Sequence, residues 1–370
     1  MRKFFHDLKY IHDVKCFPVS IVTTYACNFK CVYCFEAATR SREFMTDETC
    51  DLAVDWIKRW SLKAPYKKIY LTFYGGEPLL NTRAVDRIVT AIKPWCERAG
   101  VDFAFMFQTN GYLLSPGLVK RYLPLGLNHV RISVDGVKGD HDKNRILANG
   151  QGTFDAIMSN IRDCIDMVNI GLSVSYEKDE VDHIERLLDY LEGLGALHKL
   201  GRFLFAPIHP RLGDKNNFNQ IERSECLCNY EDRYLIEANR KLAQFLQRKK
   251  LPSSGRLAAF ACSMTRENGG VTIDTQGRLF RCNCMLGHPE LSIGHIKDQE
   301  FNRQQRYFRD LDVWKKCPID CPYLPLCGGG CRMVAFLKDR DFSKLSCKKE
   351  YLDKMAPEFI KAEYLQETRS

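Results

Sequence analysis

The sequence has no apolar run long enough to cross a bilayer, and its longest runs are short pieces such as Leu257–Cys262. A membrane-spanning helix needs about 20 apolar residues in succession. The N-terminal stretch MRKFFHDLKYIHDVKC is interrupted by charges and therefore lacks the apolar core of a secretory signal. Internal repeats and low-complexity tracts are absent as well. We therefore predict a cytoplasmic protein with no membrane partner.

The composition excludes two further classes of protein. Apolar residues make up 45% of the chain and charged residues 27%, which argues against a disordered or collagen-like chain. The net charge of +9 suits an acidic peptide or a nucleic acid, but it is spread over 370 residues and we do not expect nucleic acid binding. The 17 cysteines are too few for a disulfide scaffold and more than a core requires, which favours metal binding.

Between residues 20 and 210, short β-branched and aromatic runs alternate with amphipathic segments. The predicted strands are Val19–Thr23, Ile69–Phe73, Phe103–Thr109, His129–Ser133, Gly171–Tyr176 and Phe203–Ala206. The predicted helices are Asp47–Trp60, Arg83–Arg98, Gly117–Leu123, Phe154–Met167 and Val181–Leu194, the first of them capped by Thr46. Six strands alternating with helices predict parallel βα units, hence an α/β barrel or partial barrel. A complete eight-unit barrel would need more chain.

The pattern changes after Pro210. Residues 211–230 are polar and irregular, and Tyr234–Lys250 predicts a helix. Beyond it the chain is dense in Cys, Gly and Pro, with a predicted hairpin that turns at Gln276–Gly277 and a closing helix at Lys348–Gln366. So little apolar periodicity indicates a module held by metal. We expect an N-terminal extension (1–18), a barrel (19–210), a linker segment with a helix (211–255) and a Cys-rich domain (256–370).

Three cysteines follow the first predicted strand in the sequence Cys27-Asn-Phe-Lys-Cys31-Val-Tyr-Cys34. An iron–sulfur cluster ordinarily takes four cysteines, so a cluster held by these three leaves one iron open for a small molecule. The alternatives are a zinc site that lacks its fourth ligand or an accidental group of thiols. Motifs later in the chain disfavour both.

This CxxxCxxC arrangement, with an aromatic residue before its last cysteine, resembles the radical SAM superfamily. The resemblance implies that a 4Fe-4S cluster binds S-adenosylmethionine at its open iron, and that reductive cleavage gives a 5′-deoxyadenosyl radical that takes hydrogen from a substrate.

Further elements match the family in barrel order. The resemblance implies that Tyr33 lies against the adenine and that Gly75, Gly76 and Glu77 hold the methionine amino group. It also implies that Asn110 ends the third strand beside the cofactor and that Ser133 and Asp135 contact the ribose. Arg145 would bind the carboxylate of the cofactor.

The cysteines of the C-terminal half resemble a second family pattern, the seven-cysteine SPASM domain with its two auxiliary iron–sulfur clusters. The spacing from Cys317 to Cys321 is one residue longer than usual, and the paired CxxC knuckles of a zinc ribbon do not occur in this half. The resemblance implies that Cys317, Cys321, Cys327 and Cys347 hold the second auxiliary cluster, and that Cys262, Cys282 and Cys331 hold the first. We expect both auxiliary clusters to be of the 4Fe-4S type.

The fourth ligand of the first auxiliary cluster stays open at this point. Relatives often place a cysteine where this chain has Asn268. Cys284 lies two residues after Cys282, so on a strand both thiols would face the same side, and we favour it. The alternative is an open iron that takes a substrate thiolate. Cys226 and Cys228 are outside candidates.

Families with this architecture mostly modify peptides or proteins, so the resemblance implies an oxidative peptide maturase that makes a thioether or other crosslink. One alternative is an anaerobic sulfatase-maturating enzyme, but those place an Asp base where this chain has Asn283, which carries no basic group. The other alternative is a tetrapyrrole- or haem-modifying enzyme. A non-enzymatic electron carrier would not need the GGEP element, Gly75-Gly76-Glu77-Pro78, to which the resemblance assigns the methionine amino group.

The resemblance also implies partners. With 26 residues before Cys27 we expect no fused leader-binding domain, so a leader peptide would be bound by a separate protein, by residues 211–230 or by basic surface. Flavodoxin or ferredoxin is the expected electron donor. The remaining thiols of Cys50, Cys96 and Cys164 are expected in the core, and Cys16 is unassigned. For His209 and His288 we favour surface positions over a place near the cavity.

Overall fold

The computed structural model describes residues 15–34, 41–64, 66–176, 181–208, 233–252, 262–266 and 269–367. The expectations for His209, Cys226, Cys228, Asn268 and residues 211–230 concern positions outside these ranges. No helix within the ranges is long and apolar enough to cross a membrane.

Six parallel strands, paired in chain order, form the centre of the fold. They are β1 (Cys16–Thr24), β2 (Lys68–Gly75), β3 (Asp102–Thr109), β4 (Leu127–Ser133), β5 (Asn169–Tyr176) and β6 (Phe203–Pro207). The helices between them are α1 (Asp47–Ser61), α2 (Thr82–Ala99), α3 (Pro116–Tyr122), α4 (Lys138–Asn144), α5 (Phe154–Cys164) and α6 (Asp182–Gly193). Since parallel strands end at the same edge, the loops after β1 to β4 meet there.

The apolar faces of strands and helices meet in one core. Ile21, Phe73 and Phe105 are fully buried on the strands, and the Thr46 side chain caps α1 by accepting from the backbone N–H of Thr49. The thiols of Cys50, Cys96 and Cys164 are buried on helices of this core, which confirms their expected place. Cys16 is the first residue of β1 and not a residue before it.

The C-terminal half extends the same sheet. Its elements are α7 (Arg233–Arg248), β7 (Val271–Ile273), β8 (Arg278–Phe280), β9 (Gly294–His295), α8 (Arg303–Arg309), α9 (Leu324–Cys327), α10 (Arg332–Asp339) and α11 (Lys349–Glu367). The predicted hairpin is confirmed as β7 and β8, with Gly277 in the left-handed region at its turn (φ +85°). β7 pairs in parallel with β1, so the strand order is β6-β5-β4-β3-β2-β1-β7-β8-β9. The Cys-rich half is therefore hydrogen-bonded to the barrel through β1.

Among the barrel helices, α4 and α5 differ most from the predicted elements. α4 was not predicted, because its sequence KGDHDKN carries no apolar periodicity. α5 ends at Cys164, three residues before the predicted Met167.

Candidate cofactor and cluster site

The loop after β1 that carries Cys27, Cys31 and Cys34, called the Cys27 loop, is hydrogen-bonded to the segment around Arg145. Backbone N–H groups of Lys30 and Val32 donate to the carbonyls of Ile146 (2.8 Å) and Asn144 (3.1 Å). In return, the N–H of Ala148 donates to the carbonyl of Asn28 (3.0 Å). Within this loop the thiols of Cys27, Cys31 and Cys34 are all half-buried. The backbone bonds fix the loop that presents them at the edge where the strands end.

The GGEP turn packs directly on the start of the same loop. Gly75 has a φ of +123°, and a Cβ built on Gly76 would lie 2.3 Å from the carbonyl oxygen of Ala26 and 2.6 Å from that of Tyr25. The Gly76 N–H donates to the Thr24 carbonyl at 3.0 Å. Only glycine permits so close an approach of two backbones, which explains the residue type at this position.

Glu77 is fully buried and faces the protein. One carboxylate oxygen accepts from the backbone N–H of Leu79 (3.0 Å) and from the hydroxyl of Thr109 (2.7 Å), and the other accepts from the N–H of Asn110 (2.8 Å). Burial raises the pKa of Glu77, while these donors act in the opposite direction. Glu77 thus joins the end of β2 to the end of β3, and its contact with a cofactor stays a prediction.

Asn110 stands at the end of β3 beside the first predicted cluster ligand. Its amide nitrogen donates to the Asn28 side-chain oxygen at 2.8 Å and lies 3.9 Å from the sulfur of Cys27. The N–H of Phe29 also donates to that sulfur at 3.4 Å. Hydrogen bonds to the sulfur are among the features by which proteins tune iron–sulfur clusters.

Tyr33, Asp135 and Arg145 form one network, which the sequence did not reveal as such. The Tyr33 hydroxyl donates to a carboxylate oxygen of Asp135 and accepts from the Arg145 guanidinium at 2.7 Å. The Arg145 guanidinium lies 3.6 Å from the same carboxylate, whose other oxygen accepts from the N–H of Ser175 (2.9 Å). Burial raises the pKa of Tyr33, so the phenol stays protonated at neutral pH. Ser133, the last residue of β4, is half-buried nearby in sequence.

His141 supports this network, although the sequence did not indicate it as a site residue. It is fully buried; its Nδ1 accepts from the Asp135 N–H at 3.2 Å, and its Nε2 lies 3.0 Å from the hydroxyl of Thr153. That hydroxyl donates to the Arg145 carbonyl at 2.7 Å. Burial, followed by the charge of Arg145, lowers the pKa of His141 to about 3. Its position four residues before Arg145 was the available signal.

Two buried donors at this edge suit an anionic ligand. Nδ2 of Asn28 and Nε of Arg145 have no hydrogen-bond partner in the part of the chain that the structure describes. Buried polar groups are normally paired, and an unpaired one costs free energy. A thiolate-bound cluster beside Cys27 and a carboxylate beside Arg145 would supply acceptors of the right charge. The residues present therefore fit the predicted cluster and the predicted S-adenosylmethionine.

Cysteines of the predicted first auxiliary set act on one another's pKa, with Cys282 and Cys331 in most of these pairs. The pKa of Cys282 is raised by a hydrogen bond with the thiol of Cys284 and by burial, and Cys331 also acts on it. Burial raises the pKa of Cys262, on which Cys331 acts too. The prediction that Cys282 and Cys284 lie on the same side of a strand was wrong, because residues 283–285 form a 3-10 turn. The two thiols meet all the same, and ligation by Cys284 stays a prediction.

The four cysteines predicted for the second auxiliary cluster line one cavity of about 370 Å³. They are Cys317, Cys321, Cys327 and Cys347. Burial raises the pKa of Cys317 to about 11, and the other three thiols act on it in the same direction. Binding of metal would deprotonate such thiols. Among the described residues, no three His, Cys, Asp or Glu side chains are close enough to hold a single metal ion, so the ligand sets remain predictions.

Two polar residues of this half have local partners. The side-chain oxygen of Asn283 accepts from the Thr272 hydroxyl at 2.6 Å. His288 lies beside Glu290, with 3.1 Å between Nδ1 and the carboxylate, near the surface as expected.

Comparison with known proteins decides the family of the barrel. The family model of the Radical SAM superfamily matches residues 21–191. Residues 21–191 are a radical SAM domain. This match confirms the predicted radical SAM barrel, and the structural neighbours described below share the α/β fold through the Cys-rich half as well.

Curated relatives of the radical SAM domain differ in what they do. Fe-coproporphyrin III synthase of Methanosarcina barkeri is 28% identical over 50% of this chain and 43% of the relative. AdoMet-dependent heme synthase of the same organism is 24% identical over 86% and 92%. A cysteine-type anaerobic sulfatase-maturating enzyme of Clostridium novyi is 30% identical over 37% of each chain. The chain spans about half the length of the first curated relatives that it matches.

Solved structures share the fold over nearly the whole chain. The structure of anSMEcpe with bound AdoMet and the Cp18Cys peptide has a TM-score of 0.71 at 18% identity, covering 94% of this chain and 99% of that one. SuiB of Streptococcus suis bound to its precursor peptide SuiA has a TM-score of 0.64 at 15% identity, covering 94% and 78%. At such identities the likeness establishes the fold alone, and it includes the Cys-rich half.

We predict that Gly76→Ala destabilises the radical SAM domain. The added methyl group meets backbone carbonyls that cannot swing aside, so we expect the free energy of unfolding to fall by about 1–3 kcal/mol. Denaturant unfolding of the full chain measures this. Gly139→Ala is the matched control, because a Cβ there meets nothing within 4 Å and its stability should be unchanged or slightly raised. Equal stability of the two variants would contradict the contact.

We predict a pH dependence that originates in His141. In the unfolded chain the His141 imidazole takes up a proton near pH 6.5, whereas burial lowers its pKa in the folded chain to about 3. The unfolding free energy therefore falls as the pH drops through this window, by up to about 1.4 kcal/mol per pH unit. In His141→Gln this part of the slope should vanish, whereas His288→Gln at the surface should keep the wild-type slope. Identical slopes in all three proteins would refute the neutral, buried imidazole.

Proposed function

We propose that this chain is a radical SAM/SPASM peptide maturase that installs an oxidative modification in a peptide or protein. The observation that carries the proposal is the fold, which over 94% of the chain is that of two structures that hold bound peptides. In the same chain a cysteine loop lies against the GGEP turn, and two further groups of thiols lie in the half that β7 joins to the barrel. When bound, the cluster and S-adenosylmethionine would supply a 5′-deoxyadenosyl radical that takes hydrogen from the substrate.

The chain's own residues would hold and orient that cofactor. We propose Cys27, Cys31 and Cys34 as ligands of the cluster, with the N–H of Phe29 on the sulfur of Cys27. Arg145 would offer its buried Nε to the carboxylate of the cofactor. Tyr33 and Asp135 hold the guanidinium from the other side, and the buried ring of His141 fixes the backbone of Asp135.

The Cys-rich half would hold the auxiliary clusters. We propose Cys262, Cys282, Cys284 and Cys331 for the first set and Cys317, Cys321, Cys327 and Cys347 for the second. These clusters would accept the electron that the substrate radical loses. Flavodoxin or ferredoxin would supply the reducing electron, and a separate protein could present the peptide. The domain limits 1–18, 19–210, 211–255 and 256–370 belong to the same proposal.

A second candidate function is the modification of a tetrapyrrole. It is favoured by the AdoMet-dependent heme synthase, whose alignment covers 86% of this chain and 92% of the relative. Maturation of sulfatases has less support, because Asn283 takes the place of the expected base and its oxygen is occupied by Thr272. An amide cannot accept the proton that formylglycine formation must remove.

We predict that changing Cys27, Cys31 and Cys34 together to Ala abolishes 5′-deoxyadenosine formation and removes about four of about twelve irons per chain. Iron analysis and chromatography of the dithionite-reduced, anaerobically reconstituted protein measure both. A matched control changes the buried helical thiols of Cys50, Cys96 and Cys164 to Ala and should keep iron and cleavage. Cofactor cleavage by the first variant, or loss of all its iron, would contradict the assignment.

The substrate class is tested by mass spectrometry. We expect a short peptide encoded beside this gene, co-expressed anaerobically with the protein, to decrease in mass because hydrogen atoms are removed at the modified residue. With the variant that lacks Cys27, Cys31 and Cys34, the mass of the peptide should stay unchanged. Fe-coproporphyrin III is incubated with the reduced protein in parallel. Modification of the porphyrin with no change in any peptide would replace the first proposal by the second.

A further inference from the structure

Arg332, the first residue of α10, is buried among backbone carbonyls. It is 1% exposed, and its guanidinium donates to the carbonyl oxygens of Phe342 (2.8 Å), Lys344 (2.6 Å), Gly329 and Gly330 (3.1 Å). These bonds satisfy its hydrogen-bond donors but leave its positive charge uncompensated. Its position is therefore fixed by the fold.

A buried charge normally has a partner of opposite sign. Among the residues that the structure describes, no Asp or Glu forms an ion pair with Arg332. Burial lowers the pKa of its guanidinium, yet an arginine remains charged in proteins. The anion that balances this charge has to come from another kind of group.

Arg332 directly follows Cys331 of the first predicted set, and its guanidinium donates to the carbonyl of Gly329, which lines the cavity of the second predicted set. The thiols of Cys262, Cys331, Cys327 and Cys317 act on the pKa of Arg332 and oppose the effect of burial. The backbone N–H of Arg332 also donates to the sulfur of Cys262. The first two cysteines belong to the predicted first auxiliary set and the last two to the second. Arg332 thus lies beside cysteines of both sets.

We infer that Arg332 is a positioning residue that supplies one fixed positive charge to both auxiliary clusters and favours their reduced forms. The inference rests on the proposed function, since it assumes clusters at these thiols. A positive charge stabilises the state that has gained an electron, and nearby charge is one of the factors that set cluster potentials. In turnover the substrate radical would lose one electron to an auxiliary cluster and one proton to solvent.

The experiment poises the auxiliary clusters at a fixed potential. The full chain carries the Cys27, Cys31 and Cys34→Ala changes, so that only auxiliary clusters contribute to the electron paramagnetic resonance signal. Dithionite and mediators supply the electron. In Arg332→Gln we expect the ratio of reduced to oxidised cluster to fall about tenfold, which corresponds to about 59 mV for a one-electron couple. Arg332→Lys keeps the charge and should stay within about twofold of the parent.

The controls separate charge from packing. Arg309→Gln removes a charge at the surface of α8, where Arg309 pairs with Asp310, and should leave the ratio unchanged. An unchanged ratio in Arg332→Gln with full iron would overturn the inference. So would a tenfold fall in Arg332→Lys, which also serves as the test if the Gln variant fails to retain iron. Absence of auxiliary iron from the parent protein would instead refute the proposed function.

Discussion

The contact between the GGEP turn and the Cys27 loop is the constraint on which the site depends. Two backbones approach so closely at Gly76 that no side chain fits between them. Glu77 then turns inward and accepts hydrogen bonds from Leu79, Thr109 and Asn110. A typical hydrogen bond of this kind contributes about 0.5–1.5 kcal/mol. The ends of β1, β2 and β3 are thereby fixed relative to one another before any cofactor binds.

Arg145 and Arg332 are two buried arginines with similar surroundings. Arg145 lies at the barrel edge with Asp135 and Tyr33 on one side and a buried, unpaired Nε that suits an incoming carboxylate. Arg332 lies in the Cys-rich half, where carbonyl oxygens accept from its guanidinium and cysteines of both predicted sets lie nearby. We propose that in both places an anionic group, the cofactor carboxylate or a thiolate-bound cluster, completes the balance of a buried cation. Such sites are costly without their ligands and stable with them.

Much of the fold and the first cysteine loop could be predicted from sequence because their signals are local. The βα alternation gave the six strands, and the spacing of Cys27, Cys31 and Cys34 lies within eight residues. The pairing of β7 with β1 could not be seen, since a strand of three residues carries no periodicity. The bond from Tyr33 to Asp135 spans 102 positions, and only the fold brings such residues together. The strand expected at Cys282 and Cys284 was also wrong, because a short 3-10 turn follows β8.

The central claim is that an iron with a vacant position, held by the loop after β1, binds S-adenosylmethionine. Electron paramagnetic resonance of the anaerobically reconstituted, reduced protein tests it most directly, with spectra taken before and after addition of S-adenosylmethionine. We predict that the signal of one cluster changes in shape and that the signals of the auxiliary clusters do not. Spectra that are the same with and without S-adenosylmethionine, or a protein that takes up zinc and no iron, would contradict the account.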